Sequence, residues 1–167
     1  MAEVTTHDGM IYGLEALVFN GAELGLISSD GPDWGGSEPT TVKIWAAQRR
    51  NAPVKELLDN PGEDVITFDL IELKPANLKQ VMGGTVSADG KRWDAPHNKI
   101  ILEGDVVIRS ADGSATEVAR ASLLAFPRGR YAHNDVFKIR CKLTILAPAD
   151  DSSPYGIDTE PDAIAEG

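Results

Sequence analysis

The residues in this chain that could do chemistry are few and widely spaced. His7, His97 and His133 fall in an N-terminal arm and in two loops, and no His-x-His or His-x3-His pair exists to set ligands at metal-binding spacing. The single cysteine, Cys141, excludes an intramolecular disulfide and a cysteine zinc site. It falls on the apolar face of a strand, where a thiol behaves as a small hydrophobe with a raised pKa rather than as a nucleophile. The acids between Asp30 and Asp33, and those between Asp150 and Asp162, lack the spacing around a central glycine that a calcium loop needs. There is no G-x-S-x-G elbow, no Walker loop and no G-x-G-x-x-G fingerprint. The basic stripe Lys138, Arg140 and Lys142 could hold an anion, but it also suits pairing with acids on neighbouring strands such as Glu117. The expectation is a protein that is not an enzyme and holds no metal or cofactor.

Composition narrows the class further. A chain of 167 residues suits one domain with a proper core, and 16 Gly with 10 Pro among short apolar runs favour β-structure over a helix bundle. No run reaches membrane-spanning length, and MAEVTTHDGM has neither the basic region nor the apolar stretch of a signal peptide, so synthesis and retention in a cytosol are expected. A net charge of −10 argues against gripping nucleic acid through its phosphates. Six acids, Asp150, Asp151, Asp158, Glu160, Asp162 and Glu166, lie near the C-terminus without a lysine or arginine among them, which leaves the body only mildly acidic.

The elements that would position these residues centre on DVITFDLIELKPANLKQVMGGT, Asp64 to Thr85. Val65 to Leu73 reads as a buried strand that Pro75 ends. Leu78, Val81 and Met82 then share one helical face, and Gly83-Gly84 closes a short helix over about residues 75–82. Upstream, Asn20-Gly21 predicts a hairpin between strands over residues 11–19 and 22–28. Residues 28–40, with three Gly and two Pro, read as a long loop. Thr41 to Ala47 alternates as a strand; Pro53 to Pro61 fits either a helical turn or a β extension. Downstream, a small hairpin joins Thr85–Ala88 to Lys91–Trp93. Three long strands follow, at Lys99–Ser110, Ser114–Phe126 and Asp135–Ala147. The last of these puts Phe137, Ile139, Cys141, Leu143 and Ile145 on one face and Lys138, Arg140, Lys142 and Thr144 on the other. The expected fold is mainly β, an antiparallel β-sandwich or partly closed barrel with one short flanking helix. It has an arm at 1–10, a body at 11–148 and an acidic, solvated tail at 149–167.

The order of the Asn20-Gly21 hairpin with Leu24-Gly25, a long loop, Ala52-Pro53-Val54, the run FDLIEL from Phe68 to Leu73, Asn77-Leu78, Met82-Gly83-Gly84-Thr85 and Trp93 resembles the major tail tube proteins of long-tailed bacteriophages. The likeness spans residues 11 to about 148, and its motifs are structural. It implies a subunit made in the host cytoplasm and placed in the virion, where six-membered rings of this chain stack into a hollow tube. Partners would be other copies, tail proteins at the tip and terminator, and DNA that passes through the bore without specific binding; no membrane is implied. The family's ring-to-ring loop maps to residues 28–39, with Asp30, Asp33 and Trp34 as contact residues, and less directly to the arm at 1–9. An acidic bore would repel phosphates, and Glu15, Asp69, Glu103 and Asp105 are the lumen acids on that reading. Two other classes fit the same residues. One is a secretion-system inner tube or a tail-completion protein; the other is a monomeric β-sandwich that binds ligands on Trp34 and Trp93.

Overall fold

The computed structural model describes residues 7–159. It is mainly β, with antiparallel pairing throughout and one helix. The strands are β1 (Ala16–Phe19), β2 (Ala22–Glu23), β3 (Asp33–Ser37), β4 (Thr40–Ile44), β5 (Lys55–Asn60) and β6 (Glu63–Leu70). After the helix α1 (Pro75–Met82) come β7 (Thr85–Val86), β8 (Trp93–Asp94), β9 (Leu102–Arg109), β10 (Ala115–Pro127), β11 (Ile139–Ile145) and β12 (Tyr155–Asp158). The main sheet has the order β2-β1-β9-β10-β11-β6-β3, and β12 joins it on β10. The hairpins β4-β5 and β7-β8 are separate two-stranded sheets.

Register decides which residues become core. Opposite residues of antiparallel neighbours share a face, so the rows Leu102–Leu123–Leu143–Ile66 and Ala125–Cys141–Phe68 stack apolar side chains across four and three strands. Leu123, Leu143, Ile66 and Cys141 are fully buried. A β-bulge in β10 between Val118 and Ala121 slips the register by one residue against β9. It thereby keeps both of those residues on the buried face. Leu17 and Phe19 of β1, and Val81 and Met82 of α1, enter the same apolar cluster.

The helix follows from its sequence as expected. Pro75 occupies the first turn, and Gly83, at φ 74°, closes the C-terminus with its N–H donating to the Lys79 carbonyl at 2.9 Å. Asn77 Nδ2 donates to the Glu72 carbonyl at 3.0 Å, and Gln80 Nε2 to the Ala22 carbonyl at 2.8 Å. These side chains tie α1 to β2 and to the segment that leaves β6.

The ends of the sheet approach but no ladder joins them among the described residues, so the barrel is not closed. After β2 the chain crosses to β6, where Ile27 forms a single bridge with Leu70. The Ser28 N–H donates to the Asp69 carbonyl at 2.9 Å, and the Ile71 N–H to the Leu26 carbonyl at 2.9 Å.

Three expectations need correction, and one open alternative resolves. The first hairpin turns at Asn20-Gly21 with positive φ at both residues, but its strands span only Ala16–Phe19 and Ala22–Glu23. Residues 11–15 lie outside it, and 24–28 leave β1 for β6. The expected loop at 28–40 contains β3, paired with β6 from Asp33↔Thr67 to Ser37↔Glu63. Pro53 to Pro61 resolves as β5 and not a helical turn. The acidic segment after Pro148 is not wholly a solvated tail: β12 takes up on β10, opposite Val118, shortly beyond the point where β11 ends opposite Ala121. Glu160, Asp162 and Glu166 lie outside the described residues.

Candidate assembly surface

The ribbon formed by β4 and β5 is the part of the chain least accounted for by its own fold. It prolongs the β3/β6 pair: Ser37 opposes Glu63, and three residues on, Thr40 opposes Asn60. Two glycines make the passage. Gly36 has φ 109° and a Cβ there would meet the Glu63 carbonyl oxygen at 2.1 Å; Gly62 has φ 79° and would meet that of Ser37 at 2.4 Å. No other residue fits either place without moving backbone.

Every residue of β4 and β5 is exposed. Val42, Ile44, Trp45, Val54, Leu57 and Leu58 are large apolar residues left in water, with Leu58 at 63% and Trp45 at 57% of their full accessibility. Cross-strand partners put Val42, Ile44 and Leu57 on one side and Leu58 on the other, so neither face is turned to the core. An isolated two-stranded hairpin is at best marginally stable in water, and a clustered apolar surface of this kind marks a contact site. Its tip, residues 43–55, contains Lys43, Arg49, Arg50 and Lys55 and no acid. The tip closes through a turn in which the Arg49 N–H donates to the Ala46 carbonyl at 3.2 Å.

A second feature lies where the curled sheet is splayed. Between residues 13–17, leading into β1, and residues 24–32 runs a groove made of two adjoining hollows of about 380 Å³ each, which share Leu14 and Ile27. Leu17, Leu24 and Leu26 add apolar lining; Glu15, Glu23, Glu72 and Asp30 add carboxylates, and no lysine or arginine lines it.

Of the proposed contact residues, Asp30 lies at one end of this groove and also lines, with Asp33, a neighbouring hollow that holds Asp69 and Arg140; Asp33 and Trp34 belong to β3. Trp34 packs on Tyr155 of β12 with ring centroids 5.3 Å apart, and remains two-fifths exposed. Trp93 is half-buried and donates through Nε1 to the Gly83 carbonyl at 2.8 Å, so it holds α1 to the β7-β8 hairpin and is not a free stacking platform.

The four lumen acids are also divided. Asp69, Glu103 and Asp105 point to the face of the sheet opposite the core, whereas Glu15 lines the groove. Asp69 is paired with Arg140 at 2.8 Å and Glu103 with Arg120 at 2.9 Å, so two of the four have their charge offset by a guanidinium. Arg140 thus pairs across strands, as expected of the Lys138–Arg140–Lys142 stripe, although its partner is Asp69 and not Glu117.

Titratable groups elsewhere serve structure. Burial, with a smaller push from Asp69, raises the Cys141 thiol to about 12, as its place on the apolar face predicts. His7 Nε2 meets the Asp112 carboxylate in the β9–β10 turn, and the Tyr12 N–H and Ser114 Oγ donate to the same carboxylate at 3.3 and 3.1 Å. Burial works against ionisation of Asp112, but these hydrogen bonds together hold it below the ordinary carboxylate range. The arm residues that precede His7 lie outside the described residues. Among those described, no cluster of three or more His, Cys, Asp or Glu is arranged to hold a metal ion, and no helix is long and apolar enough to cross a membrane.

Sequence reasoning found the strand in β4 but not what the ribbon does. The signal available was the pair of breaks at Pro39 and at Asn60-Pro61-Gly62, which bracket an apolar, basic stretch on both sides. No protein-family model matches the chain, and no curated protein sequence matches it.

Proposed function

We propose that this protein is a structural subunit that polymerises through the β4-β5 ribbon, and that its assembled form is a phage tail tube of stacked six-membered rings serving as the conduit for DNA. The observation that carries the reading is the ribbon, whose six large apolar residues stay exposed among the described residues. The order of motifs from Asn20-Gly21 to Trp93 supplies the tube family, and on that reading the curled sheet over α1 is the tail-tube form of a partly closed barrel. A head-to-tail contact between unlike surfaces closes into a ring or continues as a helical filament, which suits both levels of such a tube. The edges at β2 and β3, which do not pair with each other, are the places where neighbouring subunits would meet within a ring.

Tube subunits must let DNA pass without holding it. The net charge of −10 supports that, with Asp105 on the outward face of the sheet as the best-placed lumen acid, since Asp69 and Glu103 are offset by arginines. The test is negative-stain electron microscopy of the purified protein over a concentration series, with light scattering for mass. Six-fold rings or tubes with a hole wide enough for duplex DNA are expected. Particles that stay monomeric at high concentration, even when seeded with phage tail tips, would overturn the proposal.

A further inference from the structure

We infer that the tip of the β4-β5 ribbon of one copy docks in the acidic groove between residues 13–17 and 24–32 of another copy. The inference rests on the assembly reading above and names the partner surface of the same ribbon. Its occupant is a second copy because the two surfaces complement each other in both charge and polarity. The tip presents Lys43, Arg49, Arg50 and Lys55 around Ile44 and Trp45, and the one acid beside them, Glu56, lies across from Lys43 at the base of the tip. The groove presents Glu15, Glu23, Asp30 and Glu72 around Leu14 and Leu26, without a base. In a chain of net charge −10, a patch of four bases will find most of its own kind's surface attractive; the groove adds apolar lining and depth to that attraction, and it brings four carboxylates where the hollow beside β12 brings two, Asp105 and Glu117.

The two surfaces lie on different parts of the fold: the tip stands beyond the β3/β6 end of the sheet, the groove beside β1. The contact is therefore heterologous, tip to groove, and each copy offers one of each. Such a contact propagates from copy to copy, and it is weakened by salt, because its charges sit at an exposed rim.

Charge reversal tests the pairing. Arg49→Glu, Arg50→Glu and Lys55→Glu together make the tip acidic; Glu15→Lys, Glu23→Lys and Asp30→Lys together make the groove basic. Each triple variant alone is expected to raise the concentration at which light scattering first reports assembly by more than about tenfold, through like-charge contact. An equimolar mixture is expected to assemble near the wild-type concentration, because every contact in it again joins opposite charges. Restoration on mixing also shows that both variants fold. As an independent readout, Trp45→Cys and Leu26→Cys proteins, both substituted at exposed sites, are mixed under mild oxidation, where disulfide-linked pairs of the two are expected; the native Cys141 is buried and does not compete. If the groove variant assembles like wild type, or the mixture fails to recover and no cross-linked pair forms, the groove assignment is overturned while ribbon-driven assembly stands. If wild type itself never assembles, the assembly reading falls with it.

Discussion

β11 and β5 are both short antiparallel strands that carry leucine, and their leucines meet opposite fates. Leu143 in β11 is fully buried, whereas Leu58 in β5 keeps most of its surface in water. Propensity does not separate them. The difference is in neighbours: β11 has β10 on one side and β6 on the other, with the core beneath, while β5 has β4 alone. A strand's apolar residues stabilise the subunit only where a second layer covers them. On the proposed assembly reading, the leucines of β5 are kept for contact between subunits, at a cost in solubility.

The sharpest way to break this comparison is to truncate one leucine in each strand. Leu143→Ala removes side-chain atoms from a fully buried site and leaves a cavity, and is expected to cost about 2–5 kcal/mol in denaturant unfolding. Leu58→Ala removes the same atoms from an exposed site and is expected to change stability by less than about 0.5 kcal/mol, while raising the concentration needed for assembly. Equal destabilisation by the two substitutions would show that the ribbon is part of the subunit's own core after all.

A smaller effect comes from the thiol beside Leu143. Cys141 is held neutral by burial, its pKa raised from the ordinary thiol value of 9.0 to about 12. A raised folded value means that the folded state keeps its proton where the unfolded state has lost it. The stability this represents is complete below pH 9 and drains away as pH rises from 9 towards 12. At pH 10 the expected loss is about 1 kcal/mol relative to pH 8. Cys141→Ala should flatten that limb of the curve, after its own cavity cost at neutral pH is subtracted. Native protein should also resist thiol alkylation at pH 8, when unfolded protein does not. Rapid native alkylation would mean that β11 opens readily and that the two strands are less different than their burial suggests.

The contrast also shows what was legible in the sequence. The helix could be placed because Pro75, the Leu78–Val81–Met82 face and Gly83 are local signals that act within one turn. The alternation of β11 was equally plain, since a strand buried on one face must repeat every second residue. β3 was lost among glycines: Gly35 and Gly36 give loop composition, and only pairing with Val65 and Asp64 makes them strand. β12 was hidden by the acids around it, although Tyr155 and Ile157 alternate. The ribbon was the hardest case, for a tertiary reason. Val42, Ile44, Leu57 and Leu58 look like core residues in any window, and nothing local tells a covered face from an uncovered one. The groove was equally invisible, because Glu15, Glu23, Asp30 and Glu72 come together only when the chain crosses from β1 to β6.

The smallest effect tests whether β12 belongs with the covered strands or with the exposed ones. All four of its residues are exposed, yet it pairs with Ala115–Val118, where β10 is buried, and its Tyr155 packs on Trp34. An aromatic pair of this kind contributes about 0.5–1.5 kcal/mol beyond its buried area. Tyr155→Ala should therefore shift global unfolding by no more than about that amount. Its local consequence should be larger: amide exchange at residues 155–158 should speed up, while residues 139–145 of β11 stay protected, because β11 keeps both of its neighbours. That outcome would make β12 a loosely held cover over the end of β10, nearer in character to the ribbon than to β11. Loss of protection in β11 as well would instead make β12 an integral strand, with the boundary between covered and uncovered structure drawn beyond it.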